Sequence, residues 1–165
     1  MRQVNADLLK NTIRDLFLEA SYVIGKDVYD KLQAQCKLEV SPIGRSVISQ
    51  ILENDEIAAK ERIPMCQDTG LAVVFIKLGQ EVSIVGGDFN EAINQGVREA
   101  YTKGYLRKSA VSEPIFDRIN TKDNTPAIVH LEIVPGDKIE ILVTAKGFGS
   151  ENMSALKMLK PADGV

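Results

Sequence analysis

Tryptophan is absent from this 165-residue chain, histidine occurs once and cysteine twice. A single histidine rules out HExxH or any multi-histidine metal site, and Cys36 and Cys66 stand in contexts too different to form a secreted disulfide framework. Charge of one sign is not concentrated: the net value is −3 and no basic block occurs, which argues against nucleic acid or an anionic membrane as partner. No apolar run approaches the ~18 residues that span a bilayer, and residues 1–7 lack the apolar centre of a signal peptide. The phosphate loop GxxxxGK(S/T), the GxGxxG fingerprint and the local signatures of Ser-His-Asp or Cys-His catalysis are missing too. A cytoplasmic protein with reduced thiols is the expectation.

What is present is ordinary in bulk. Apolar residues make up 44% and charged residues 26%, normal for a globular chain, and the length suffices for one domain burying roughly 70% of its unfolded surface. Asn5 or Asp7 caps an expected helix to about Ile24, with Leu9, Ile13, Leu16, Phe17 and Ala20 on one face. Gly25 stops it and Asp27 opens a second helix. There Val28, Leu32 and Cys36 recur at every fourth position, which places Cys36 on a buried stripe as a small apolar residue. Ser41-Pro42 starts a third helix with Ile43, Val47, Ile48, Ile51 and Leu52 on its apolar face, and Asn54-Asp55 caps a further short one.

The period then changes. Residues 71–78 form a near-continuous apolar run, the pattern of a strand buried on both faces, and with residues 82–85 they flank Gly79-Gln80 as an expected hairpin. Gly86-Gly87-Asp88 leads into a helix that Gly104 ends. An irregular segment follows from Tyr105 through Pro126, of a length that is usually functional or mobile. Residues 127–134 and 138–144, joined by Pro135-Gly136, make a second expected hairpin, and a short helix is expected over 153–159. The fold class expected is α+β: N-terminal helices, then a mixed, mainly antiparallel sheet of about four strands flanked by helices.

Three stretches carry the chemistry-bearing residues. In Ile63-Pro64-Met65-Cys66-Gln67-Asp68-Thr69-Gly70 the proline disfavours continuing the helix, so a thiol, an amide, a carboxylate and a hydroxyl share one tight loop before the strand. A thiolate there can point outward to a metal, although one cysteine makes no metal site by itself. Lys146-Gly147-Phe148-Gly149-Ser150-Glu151-Asn152 reads either as a glycine turn from strand to helix or as a close backbone approach offering free N–H groups to an anion. Arg107 matches a carboxylate bidentately, or is a solvated surface charge. His130 lies in a strand and reads as a packed or hydrogen-bonded residue.

Taken in order, Met65-Cys66-Gln67-Asp68-Thr69-Gly70, Tyr105-Leu106-Arg107-Lys108-Ser109, Asp123-Asn124-Thr125-Pro126-Ala127 and residues 146–153 resemble the α subunit, or N-terminal region, of class I fumarate hydratase and its relative L(+)-tartrate dehydratase. Those are oxygen-sensitive iron–sulfur hydro-lyases. The resemblance implies that Cys66 ligates a 4Fe-4S cluster and that Gln67 and Asp68 contact the dicarboxylate beside its open iron. It implies that Arg107 clamps a substrate carboxylate and that Gly149 lines the same site. Asp68 is the candidate catalytic group, for proton handling or for orienting the hydroxyl. Fumarate/malate and tartrate both stay open as substrates.

The departure from the family pattern is in the cysteines. Three hold the cluster there, two of them further along the chain, and Cys36 cannot be assumed to replace either. Residues 1–165 are therefore expected to be a single domain, the N-terminal part of a truncated α subunit. Such a chain would be inactive alone and carry no stable cluster by itself. Its expected partners are the dicarboxylate, the C-terminal remainder of the α subunit and a β subunit, in an oligomer. The competing expectation is a non-catalytic dicarboxylate-binding or assembly module.

Overall fold

The side chain of Asn5 accepts a hydrogen bond from the Asp7 amide at 2.7 Å, and a helix starts there. In the computed structural model, which describes residues 1–149 and 153–164, this helix (α1, Ala6–Tyr22) follows a short strand (β1, Arg2–Asn5). Helices α2 (Lys26–Leu38) and α3 (Pro42–Glu61) complete the helical opening. Strands β2 (Leu71–Gly79) and β3 (Val82–Val85), helix α4 (Phe89–Lys103) and strands β4 (Ile128–Val134) and β5 (Ile139–Lys146) follow. The class is α+β, helices first and sheet after. Among the described residues no helix is long and apolar enough to cross a membrane.

Leu9, Ile13 and Phe17, spaced four apart on α1, share one buried cluster with Ile93, Val97, Ala100 and Tyr101 of α4 and Val74 and Ile76 of β2. Each large side chain removed from water contributes roughly 1.5–3 kcal/mol. Gly96 lets the two helices cross closely: a Cβ there would stand 2.6 Å from the Lys10 carbonyl oxygen and 2.9 Å from Ile13 Cβ. Asp88 caps α4 by accepting from the Glu91 amide at 2.8 Å, and Gly104 closes it.

β2 is the middle strand of a three-stranded sheet, order β4-β2-β5, parallel to β4 and antiparallel to β5. β1 and β3 pair in parallel as a separate two-stranded sheet. The mixed strands match expectation, but two of the three pairings are parallel and neither expected hairpin forms. The exit of β2 explains both. The amides of Gly79, Gln80 and Glu81 donate to the carbonyls of Lys138, Val134 and Gly136 at 2.8, 2.8 and 3.0 Å. That end of β2 is thereby wedged between β4 and β5, the Pro135-Gly136 connection arches over it, and β3 is sent on to β1. Burial of β2 is two-sided only at its start, where Ala72, Val73 and Val74 are all buried; beyond it Ile76 is buried, whereas Phe75 on the Val73 face is 42% exposed.

α3 runs unbroken through Asn54-Asp55, so the separate helix expected there is absent. Asn54 instead donates to the Met65 carbonyl at 2.9 Å, and propagating a helix costs less than nucleating a new one. The third helix does start at Ser41, whose hydroxyl accepts from the Gly44 amide at 3.3 Å. Its expected apolar face is largely uncovered, with Ile43 78% and Val47 50% exposed. No residue of α2 is buried, and Cys36 is only half-buried, its thiol donating to the Arg45 carbonyl at 3.8 Å. The α2–α3 hairpin packs mainly on itself, which is why the stripe holding Cys36 is not a core stripe. The helix expected over residues 153–159 does not form in the described part of the chain. Met153, Leu156 and Met158 are exposed, and a seven-residue segment that buries no apolar face does not sustain a helix.

Candidate functional site

Arg62 takes the left-handed conformation (φ 56°) that ends α3, and Pro64 prevents its resumption. The chain then crosses to β2 as the loop 63–70. The Cys66 side chain is exposed on this loop; its sulfur accepts from the Asp68 amide at 3.4 Å, and its thiol donates to Gln67 Oε1 at 3.6 Å. The half-buried Asp68 faces the glycine turn after β5, where Oδ2 accepts from the Phe148 amide at 3.1 Å. Beside it Gly70 adopts φ +50°, and a Cβ there would stand 1.7 Å from the Lys146 carbonyl oxygen. Only glycine lets the cysteine loop and the glycine turn lie this close.

Thr69 ties the same loop to the arginine segment: its hydroxyl donates to the Arg107 carbonyl at 3.0 Å, and its own carbonyl accepts from Tyr101 at 2.7 Å. Burial drives the Tyr101 hydroxyl well above its ordinary pKa, opposed by a smaller contribution from Asn124, so it acts as a fixed donor. Asn124 is fully buried at φ 64°. Its Nδ2 donates to the Gly70 carbonyl at 3.0 Å, and its Oδ1 accepts from the Ser109 and Ala110 amides at 2.8 and 2.9 Å. Next to it burial would raise the Asp123 pKa, but Arg98 at 2.8 Å and the Thr125 hydroxyl and amide outweigh that and hold the carboxyl at about 2.

Cys66, Gln67 and Asp68, the Gly147-Phe148-Gly149 turn and the backbone of Arg107 therefore meet at one end of the sheet, where β2 starts and β5 finishes. The Arg107 side chain is exposed and has no partner among the described residues. Gly149 is exposed, with open space where a Cβ would stand. Ser150, Glu151 and Asn152 lie outside the described residues. His130 is elsewhere, stacked on Phe75 with ring centroids 4.8 Å apart. Cys36 is not in the loop cluster either. The supports that sequence reading missed are Thr69, Tyr101 and Asn124 as a bonded set. The signal for the last was an asparagine in a turn-rich Asp-Asn-Thr-Pro stretch, the residue most tolerant of positive φ after glycine.

Cys66 suits a soft metal: it is accessible on a loop and a backbone N–H points at its sulfur. It fits one corner of an iron–sulfur ligand set. Among the described residues no group of three His, Cys, Asp or Glu could hold a metal ion, so a full ligand set would need groups from outside them.

The family model described as fumarate hydratase (Fumerase) matches residues 10–165. The chain belongs to that family. It is 37% identical over 161 residues to a protein of Methanocaldococcus jannaschii provisionally named L(+)-tartrate dehydratase subunit alpha, covering 95% of this chain and 56% of that one. It is 41% identical over 119 residues to the anaerobic class I fumarate hydratase of Escherichia coli, covering 72% of this chain and 22% of the enzyme. The L(+)-tartrate dehydratase subunit alpha of Escherichia coli strain UTI89 is 36% identical over 142 residues, 84% of this chain and 46% of that subunit. The chain thus spans about half the length, or less, of these relatives. The resemblance carried by its four motifs to class I fumarate hydratase and to the tartrate dehydratase α subunit holds.

Proposed function

We propose that this chain is part of a cytoplasmic hydro-lyase that reversibly removes water from a hydroxy dicarboxylate, malate giving fumarate or tartrate giving oxaloacetate, with a 4Fe-4S cluster as resident cofactor. The observation that carries the reading is the tie between Thr69 and the Arg107 backbone. It brings an unpaired guanidinium segment to the loop that holds a thiol, an amide and a carboxylate. Family membership supports the reaction class.

The residues take the following roles. Arg107 binds one carboxylate of the substrate through paired N–H donors, the geometry a guanidinium offers and an ammonium does not. Gln67 and Asp68 contact the dicarboxylate, and the Phe148 amide holds the Asp68 carboxylate in place as an acceptor. Dehydration takes a proton from one carbon and hydroxide from its neighbour, so fixing both ends of the substrate before reaction removes much of the entropic barrier. Asp68 orients the departing hydroxyl or handles its proton. Gly149 leaves room for the substrate beside the turn. Cys66 provides one thiolate to the cluster, which when bound supplies a Lewis-acidic iron that polarises the hydroxyl. The remaining thiolates come from a C-terminal continuation of the α subunit, and a β subunit completes the oligomer.

The test is an anaerobic assay of the assembled protein with malate, fumarate and L(+)-tartrate in separate reactions. Turnover of one pair is expected, and Arg107→Met should lower kcat/KM by about a hundredfold, near 2.7 kcal/mol. Dicarboxylate binding without turnover of any of the three would favour the non-catalytic module instead.

A further inference from the structure

The cysteine loop and the arginine segment are separated by a whole strand, by β3 and by α4, yet one buried side chain touches both. We infer that Asn124 is a positioning residue that couples the Arg107 segment to the Cys66–Asp68 loop, so that the carboxylate clamp and the hydroxyl-binding group keep a fixed spacing.

The geometry leaves the amide no slack. Oδ1 accepts two N–H groups, from Ser109 and Ala110, two and three residues past Arg107. Nδ2 donates to the Gly70 carbonyl, two residues past Asp68. The residue is fully buried, so water cannot take over any of these bonds, and breaking one strands a partner at a cost comparable to a lost hydrogen bond. Its backbone at φ 64° is one that asparagine tolerates better than other side chains. The neighbours brace it: Asp123 is paired with Arg98 of α4 on one side, and Thr69 bonds to the Arg107 carbonyl on the other. Two loops that carry opposite ends of a site are thus held, beside the direct Thr69–Arg107 bond, by one amide whose donor serves one and whose acceptor serves the other. A dicarboxylate demands that arrangement, since its two charged ends lie at a set separation. The catalytic part of this inference rests on the dicarboxylate reading above; the mechanical coupling of the two loops does not.

The test uses Asn124→Asp in the complete assembled protein. This change keeps shape and acceptor but replaces the donor to Gly70 with a carboxyl oxygen. Amide exchange should quicken about tenfold or more in both segments, 66–71 and 107–111, although the acceptor for the Ser109 and Ala110 amides is retained. KM for the dicarboxylate should rise about tenfold with a smaller fall in kcat, and the change should add nothing further to KM in an Arg107→Met background, the signature of coupled positions. Should Asn124→Asp not fold, Asn124→Gly gives the same two-segment exchange readout without strain at positive φ. Faster exchange confined to one segment, or a KM effect that adds in full to Arg107→Met, overturns the inference. If the unaltered protein turns over none of the dicarboxylates, the proposed function fails, and the exchange result alone decides whether Asn124 couples the loops.

Discussion

The Phe148 amide donates to Asp68 Oδ2 at 3.1 Å across 80 residues of sequence. That bond joins the loop entering β2 to the turn leaving β5, and Gly70 makes the approach sterically feasible: at φ +50° a Cβ would lie 1.7 Å from the Lys146 carbonyl oxygen. Gly70→Ala is therefore expected to force the turn away from Asp68 and to strain a left-handed backbone as well. A loss of about 3 kcal/mol follows, which for a chain of this size lowers Tm by about 6–12 °C. Calorimetry or circular dichroism measures it. A variant melting with the parent protein would mean that the turn is not seated against Gly70.

Tyr101→Phe isolates a single bond. The ring keeps its place beside Phe17, with centroids 6.2 Å apart, but the buried Thr69 carbonyl loses its donor. A destabilisation of about 1–3 kcal/mol is expected from the stranded acceptor, read as a lower urea midpoint with an unchanged slope. An unshifted midpoint would show that the hydroxyl does not anchor the loop.

Acid should act through Asp123. Its folded-state pKa is lowered to about 2 from an ordinary 3.8. A carboxyl with a depressed folded value stabilises the fold fully above its unfolded pKa, and that contribution is lost as pH falls through the folded one. Stability should therefore decline between about pH 4 and pH 2, and Asp123→Asn should flatten that stretch of the pH profile. Parallel profiles for parent and variant would dismiss the Arg98–Asp123 pair as a contributor.

Local chemistry was legible in the residues; long-range pairing was not. Asn5, Ser41 and Asp88 cap helices as their side chains predict, because a cap is settled within three residues. The motif residues of the site could likewise be picked out, since thiol, amide, carboxylate and guanidinium are unusual company on short loops. The hairpins misled because Gly79-Gln80 and Pro135-Gly136 are good turn pairs in isolation. Which strand fills the middle of the sheet depends on contacts between β2 and both β4 and β5, some 55 to 75 residues apart in the pairing register, and no local period encodes that. Asn124 was hidden for the same reason: its three partners lie 14, 15 and 54 residues away. The apolar stripes of α2 and α3 show the converse failure, a correct helical period whose apolar face finds little beyond the other helix of the pair to cover it among the described residues.

The two thiols should separate cleanly when iron is supplied. Cys66 is exposed on the site loop, while Cys36 is half-buried on α2 and bonded to the Arg45 carbonyl. Cluster affinity depends on several preorganised soft ligands, so removing one that takes part collapses it, whereas a bystander thiol can be lost freely. In the assembled protein, reconstituted anaerobically with iron and sulfide and then desalted, Cys66→Ser is expected to abolish iron retention and the visible absorption of the cluster. Cys36→Ser should keep both and lower stability by no more than about 1 kcal/mol, the scale of one weak, partly exposed contact. Before any iron is added, a maleimide should also label Cys66 faster than Cys36. Equal iron loss in the two variants would mean that Cys36 reaches the cluster through a rearrangement of the α2–α3 hairpin. Full retention in Cys66→Ser would remove the cysteine loop from the metal site altogether.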